Sequence, residues 1–372
     1  MITNIDKQKC TGCGTCVKSC SLDVFTLDTD QDAIAPCMSA CPCQVDVRGV
    51  IYLLQQDRIE EALQLFRESV PFPIITGLLC SRPCEQSCIR YSEGGPVNIR
   101  ALEHYLGLHD TVHPAAPTEV HLGRVAVIGS GLAGLSCAYF MRNLGYPVTI
   151  YEADPAPGGW LVSALPGEVL GEQVARIKAM GIELRCNTLV GREGDIGWDT
   201  IMEHFSACCV AVGNESRYTH LKSGQMRFEA SADPQTGQTQ WEQIFAAGAV
   251  RGADNVAESI GQARQTARSM DRWLRGVDFQ SEETGIRPIL QKMPPLLPAP
   301  PRQAESQGGL DWEGAQVESL RCLTCGSKSR ITHTDDCMTC FTCELSCPTH
   351  AITVHPFKEI LPRTLRNIVE GL

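Results

Sequence analysis

The sequence predicts a multidomain α/β protein: a helical cysteine-bearing domain, a shortened parallel-sheet domain, and a small module contributed by both chain ends. Three observations predict it. Twenty cysteines stand in 372 residues, most of them in short runs. Two of the runs, one near each terminus, share one spacing and similar apolar flanks. Between them lies a strand, glycine loop, helix, strand pattern of the kind that receives a dinucleotide.

The terminal runs are Cys10, Cys13, Cys16, Cys20 and Cys337, Cys340, Cys343, Cys347, both reading C-x2-C-x2-C-x3-C. That spacing winds successive thiolates around a [4Fe–4S] cubane. A disulfide framework belongs instead to short secreted chains, and the opening MITNIDKQKC has no basic-then-apolar leader. The expected setting is cytoplasmic, in an interior kept reducing and poor in oxygen. Each run is followed by apolar alternation, at 24–27 and at 351–354, which reads as a short strand.

Composition narrows the function classes. A formal charge of −11 gives no basic footprint for nucleic acid. The longest apolar stretch, around 125–141, is broken by Gly and Ser and is a poor membrane span. Nine histidines lack metal-site spacing, and no acid, base or nucleophile constellation stands out for substrate chemistry.

Strand, cysteine loop, helix, strand is a half-motif, and the two ends (1–30 and 319–372) resemble the halves of a bacterial two-cluster ferredoxin. The resemblance implies that Cys10, Cys13 and Cys16 share a cluster with Cys347, and Cys337, Cys340 and Cys343 with Cys20. Independent clusters at each end are the alternative. Ser21 departs from the motif, where Pro348 follows the other run. A half of roughly 25 residues buries too little surface to stand alone, so the ends are expected to pair.

In residues 31–115, Ile51, Leu53, Leu54, Ile59, Ala62, Leu63, Leu65 and Phe66 recur at helical spacing and read as core, with Pro71 and Pro73 stopping the helix. Around them stand Cys37, Cys41, Cys80, Cys84, Cys88 and Glu103. At these residues the chain resembles the iron–sulfur domain of the glutamate synthase small subunit and of the N-terminal half of dihydropyrimidine dehydrogenase. The resemblance implies two cubanes between a flavin and an outside partner, the inner one held by Cys41, Cys80, Cys84 and Glu103. A solvated helix carboxylate is the plainer reading of Glu103. For the other cluster, the family's C-x2-C pair is missing, with Thr29 and Asp32 in its place. Cys322 and Cys325, in R-C-L-T-C-G, are expected to complete it with Cys37 and Cys88; Cys43 is the rival ligand. Four clusters would then use fifteen of the cysteines and Glu103. Of the remainder, Cys137, Cys208 and Cys209 lie in apolar patterns and read as core.

Residues 120–282 read as a truncated Rossmann-like domain. A buried strand runs into Gly129-Ser130-Gly131-Leu-Ala133-Gly134, then a helix, then a strand ending at Glu152. The glycines allow a tight turn, close approach to a pyrophosphate and helix–strand packing, and the acid takes ribose hydroxyls. Gly158, Gly159 and Trp160 resemble the second flavin loop of two-dinucleotide-domain reductases, and the strand running to Gly248 resembles the one that closes their flavin domain. FAD is therefore expected rather than NAD. Ala249 stands where that family has an acid for the ribityl chain, a loss of about 1.5–3 kcal/mol of hydrogen bonding. Only residues 213–241 stand where the family inserts an NAD(P)H domain, too few for a βαβ unit. Residues 283–318, with M-P-P-L-L-P-A-P-P, read as a semi-rigid linker, and 357–372 as a short amphipathic helix.

Together these readings describe an electron-transfer flavoprotein subunit with FAD and up to four [4Fe–4S] clusters, relaying electrons between ferredoxin or a partner's clusters and a separate catalytic redox subunit. The alternatives are a shortened NAD(P)H-dependent oxidoreductase and an iron–sulfur scaffold with a vestigial flavin site.

Overall fold

The computed structural model describes residues 2–6, 9–10, 15–20, 22, 24–27, 34–92, 94–111, 117, 121, 123–191, 195–213, 232–277, 298–304, 309–326, 329–331 and 336–354. Cys13, Thr29, Asp32, most of the proline-rich stretch and the tail 357–372 lie outside the described residues.

Strands β1 (Ile2–Ile5), β2 (Phe25–Leu27), β3 (Val125–Ile128), β4 (Val148–Tyr151), β5 (Glu183–Arg185), β6 (Ala207–Val210), β7 (Ile244–Ala246), β8 (Ser329–Ile331) and β9 (Ile352–Val354) form three sheets. The largest has the order β5-β4-β3-β6-β7 and is parallel throughout. Every residue of β3, β4, β6 and β7 is buried, as expected of parallel strands covered on both faces. The strand order reverses between β3 and β6, so a crevice opens there beyond their carboxyl ends. This is the truncated Rossmann-like domain that the sequence led us to expect.

The apolar stripe at 51–66 folds as two helices, Val47–Gln55 and Ile59–Arg67, rather than one. Asp57 turns the chain between them at φ 57°, a conformation Asp tolerates better than most residues. Pro73 begins a helix, Pro73–Leu79, at a position where its missing N–H costs nothing. That helix crosses Ile99–Leu108 with their backbones nearly touching. A Cβ at Gly77 would lie 2.4 Å from the His104 Cα, and one at Gly107 2.5 Å from the Ile74 Cα. Glycine at both positions lets the two helices meet.

A single apolar core runs from this helical domain into the helix-covered face of the parallel sheet. Asp110, buried at the seam, joins Arg67 of the helical domain to Arg176 of helix Gly167–Ala179, 2.6 Å away.

The chain ends close on each other. β1 pairs antiparallel with β9, and β2 with β8, so each two-stranded sheet takes one strand from either end. Ile2, Ile5, Val24, Phe25, Ala351, Ile352 and Val354 fill their shared core. The ferredoxin-like module is thus built from both termini.

Residues 309–318 differ from the linker reading. Leu310 and Ala315 join the helical domain's core, and Asp311 caps a helix, Trp312–Ser319. Glu318, fully buried, accepts hydrogen bonds from the Asn98 N–H and the Gln303 N–H, each at 2.7 Å. Gln316 Nε2 donates to the Leu54 oxygen at 2.6 Å and Gln55 Nε2 to the Ser319 oxygen at 2.7 Å, tying the segment to helix Val47–Gln55. Among the described residues, no helix is long and apolar enough to cross a membrane.

A candidate nucleotide cradle and three candidate iron–sulfur sites

The glycine loop follows β3 and opens helix Leu132–Asn143. Gly129 turns at φ 97°, and a Cβ there would lie 2.5 Å from the Ala211 carbonyl oxygen. A Cβ at Gly134 would stand 2.0 Å from the Gly129 oxygen, so glycine lets helix and loop pack. Gly131 is different: nothing beyond its chain neighbours lies within 4 Å of where its Cβ would be. That space lies at the helix N-terminus, where free N–H groups and the helix dipole favour an anion.

Glu152, at the end of β4, is buried and holds the loop. Its Oε2 accepts hydrogen bonds from the Ser130 N–H at 2.8 Å and from the Ser130 hydroxyl, and its Oε1 accepts from the Asp154 N–H at 2.9 Å. Oε2 is thereby filled, and Oε1 keeps a further lone pair for a ribose hydroxyl. Gly158 donates to Ser130 Oγ at 3.1 Å, and a Cβ at Gly159 would lie 3.4 Å from the Gly131 Cα, so the second loop closes on the first. Trp160 is half exposed beside them. Gly248 packs against Ala133, and its N–H donates at 3.0 Å to Gln262 Oε1 of helix Val256–Leu274. These residues fit a dinucleotide: an open anion site, an acid at the second strand's end and a third glycine where a side chain would clash.

The same helix is shared with the first iron–sulfur site. A Cβ at Gly261 would lie 2.4 Å from the Pro42 oxygen, and Arg264 Nη1 donates to the Cys43 carbonyl at 3.0 Å. Across that loop stand Cys41, Cys80, Cys84 and Glu103, close enough to perturb one another's ionisation. Burial and then the Glu103 charge push the Cys80 thiol up to about 12 and Cys84 higher still. Burial and the Cys41 charge raise Glu103 to about 8, partly offset by a hydrogen bond with Thr76. Glu103 is therefore not the solvated carboxylate of the plainer reading. Cys41 is lowered to about 6, chiefly by a hydrogen bond from Cys43. Cys80 and Cys84, crowded with a buried carboxylate and held protonated, are thiols that a bound iron cluster would deprotonate.

Glu103 sets a pH dependence for the metal-free protein. Its folded pKa exceeds the usual carboxylate value of 4.5, so between about 4.5 and about 8 the folded chain holds a proton that the unfolded chain has released. Through Glu103, stability of the metal-free protein is expected to fall as pH rises from about 4.5; above about 6 the lowered Cys41 thiol, which the unfolded chain keeps protonated to about 9, opposes that fall. The urea midpoint followed against pH checks this, and Glu103→Gln should flatten the slope.

The second site is an apolar cavity enclosing about 400 Å³ of non-protein space, its open mouth included. Cys37, Cys88, Cys322 and Cys325 all line it. Burial raises Cys37, and the charges of Cys322, Cys88 and Cys325 raise it further. Burial likewise pushes Cys325 up to about 12. Thr324, between Cys322 and Cys325, sits at φ 47° and turns its N–H to the Cys322 Sγ at 3.4 Å. Such left-handed kinks gather N–H groups around anionic sulfur. Cys43 is not in this wall; its Sγ donates to the Ala257 oxygen at 3.1 Å. Two residues that the sequence reading passed over are in the wall, Arg48 and Arg90. On sequence they look like the charged face of an amphipathic helix and a loop arginine, so nothing in the pattern marks them.

In the terminal module, Cys10, Cys16, Cys343 and Cys347 share the buried core, with Cys20 and Cys337 packed against it. The Ser329 N–H of β8 donates to Cys10 Sγ at 3.3 Å, and Cys16 Sγ lies 3.1 Å from the Ser329 hydroxyl, so the first run faces a strand of the other end. Cys347 Sγ accepts from the Ala351 N–H at 3.3 Å. Cys337 and Cys340 both raise Cys343, whose burial is the larger cause of its rise to about 11. Cys340 is exposed.

Three family models match segments of the chain. Residues 31–113 match the family model described as dihydropyrimidine dehydrogenase domain II, 4Fe-4S cluster; 127–176 match an NAD(P)-binding Rossmann-like domain; and 3–26 match a 4Fe-4S binding domain. The chain is 33% identical over 190 residues to the NADPH-Fe(3+) oxidoreductase subunit beta of Geobacter sulfurreducens, covering 48% of this chain and 28% of that one. It is 30% identical over 209 residues to the NADP(+)-dependent formate dehydrogenase subunit beta of Moorella thermoacetica, covering 48% and 29%. It is 32% identical over 189 residues to the NAD-dependent dihydropyrimidine dehydrogenase subunit PreT of Salmonella typhimurium, covering 48% and 45%. The matched region is thus less than half of each relative. Through its 4Fe-4S domain at 31–113 and its Rossmann-like segment at 127–176, the chain resembles the flavin–iron–sulfur oxidoreductase small-subunit family.

Proposed function

We propose that the chain is an electron-transfer flavoprotein subunit, carrying FAD and up to four [4Fe–4S] clusters between ferredoxin or a partner's clusters and a separate catalytic redox subunit. One observation carries the reading. Helix Val256–Leu274 meets the Gly248 corner of the nucleotide cradle through Gln262, and the Cys41–Cys43 loop through Gly261 and Arg264. A nucleotide site and an iron–sulfur site thereby share one wall.

FAD, when bound, exchanges electrons in ones or twos, whereas each cubane passes one at a time. The chain's own residues bind and orient. The helix N-terminus at Gly131 receives the pyrophosphate, Glu152 a ribose hydroxyl, and Gln262 lies beside the position where the family's acid is replaced by Ala249. Cys41, Cys80, Cys84 and Glu103 would hold the inner cluster; Cys37, Cys88, Cys322 and Cys325 the next; the two terminal runs the outer pair. The relatives' names, all of subunits, support a hetero-oligomeric setting.

A second reading has its own support: the Rossmann-like match is to an NAD(P)-binding model, and the three relatives carry nicotinamide nucleotides in their names. One experiment separates the two. Anaerobically purified protein is titrated with NADH, then NADPH, then reduced ferredoxin, while flavin absorbance is followed and the extracted nucleotide identified. The proposal expects extracted FAD, no bleaching by either nicotinamide and full reduction by ferredoxin. Prompt bleaching by NADH or NADPH would establish the second reading, and absence of flavin would defeat both.

A further inference from the structure

Resting on the assignment of Cys37, Cys88, Cys322 and Cys325 as one ligand set, we propose that Arg48 is a positioning residue for that cluster, its buried positive charge raising the cluster's reduction potential.

Arg48 is the second residue of helix Val47–Gln55 and is only 2% exposed. Its Nη1 donates to the Cys325 carbonyl oxygen at 2.5 Å, and its Nε has no hydrogen-bond partner although it is shielded from solvent. The nearest carboxylate oxygen, on Asp46, is 3.9 Å away and already caps the helix by accepting from the Gly49 N–H at 3.1 Å. Its neighbours in the cavity wall include Ala35, Pro36, Val47 and Ile51. A guanidinium in such a wall is costly unless an anion answers it. Four thiolates around an iron cluster are such an anion.

Reduction adds one negative charge to a cluster. A fixed cation at short range, screened little by water, favours the reduced form and so raises the potential.

The test compares anaerobic, full-length, iron-loaded wild type, Arg48→Gln and Arg48→Lys by EPR-monitored redox titration with iron analysis. Arg48→Gln should keep its iron while one cluster signal becomes about tenfold harder to reduce, a downward shift of about 59 mV for a one-electron couple. Arg48→Lys should remain near wild type. Unchanged potentials in Arg48→Gln would overturn the proposal. So would equal shifts in both variants, which would assign the effect to the guanidinium's hydrogen bond with the Cys325 oxygen rather than to its charge. Loss of the same cluster from both variants would also overturn it, by making Arg48 a strut alone. The ligand set fails separately: Cys322→Ser/Cys325→Ser protein with undiminished iron defeats it whatever Arg48 does.

Discussion

Cys322→Ser/Cys325→Ser protein is expected to contain about four fewer irons than wild type, one cubane's worth, and to lose one cluster signal in EPR while the others persist. Both thiols line the cavity that Cys37 and Cys88 line from the helical domain, and both act electrostatically on Cys37. The segment that bears them is fixed independently of any metal. Arg48 donates to the Cys325 oxygen, Arg90 to the Arg321 oxygen, and Arg321 pairs with buried Glu318 at 3.2 Å while donating to the carbonyls of Gly94 and Gly95. With that scaffold intact, the double variant should lose the cluster without unfolding the domain. Cys43→Ser is the matched control. Its sulfur contacts Cys41 and the Ala257 oxygen and lies outside the wall of this cavity, so the cluster signal that the double variant loses should persist in it. Iron unchanged in the double variant and reduced in the control would reverse the assignment.

How much of this was legible in the sequence depended on how local the signal was. The glycine loop, the strand before it and Glu152 lie close together in the chain, and each has one steric reason for its residue type, so the reading carried over to the fold. The pairing of the chain ends was also legible, because two equal spacings with equal flanks are improbable as unrelated halves. What escaped notice was set by partners far away in sequence. Helix Trp312–Ser319 is held by Glu318 bonding to Asn98, and a proline-rich neighbourhood gave no sign of it. The break at Asp57 lies inside a stripe whose apolar spacing alone fits a continuous helix. Arg48 looks like a solvent-facing charge until the cavity and Cys325 are placed beside it. Glu103 could be named only by resemblance, since its burial depends on Gly77 and Gly107 letting two helix backbones meet.

Replacing Gly131 by Leu is expected to leave a folded protein that has lost its dinucleotide, and the contrast with Gly134 makes the experiment decisive. At Gly131 no atom beyond its chain neighbours lies within 4 Å of an added Cβ, so the side chain starts into the open space where backbone would approach a pyrophosphate. At Gly134 an added Cβ would stand 2.0 Å from the Gly129 oxygen, so even Ala forces helix Leu132–Asn143 off its loop. Overpacking of that kind costs about 1–3 kcal/mol. Bound nucleotide stabilises the native state by mass action, so the two variants have to be compared with nucleotide-free wild type. On that footing, Gly131→Leu should match the wild-type denaturation midpoint while retaining less than about a tenth of its nucleotide, a loss of at least about 1.4 kcal/mol of binding. Gly134→Ala should lower both the midpoint and the nucleotide content. Full nucleotide retention in Gly131→Leu would mean that the ligand enters elsewhere on the sheet, and the shared wall of helix Val256–Leu274 would then no longer join a nucleotide to iron.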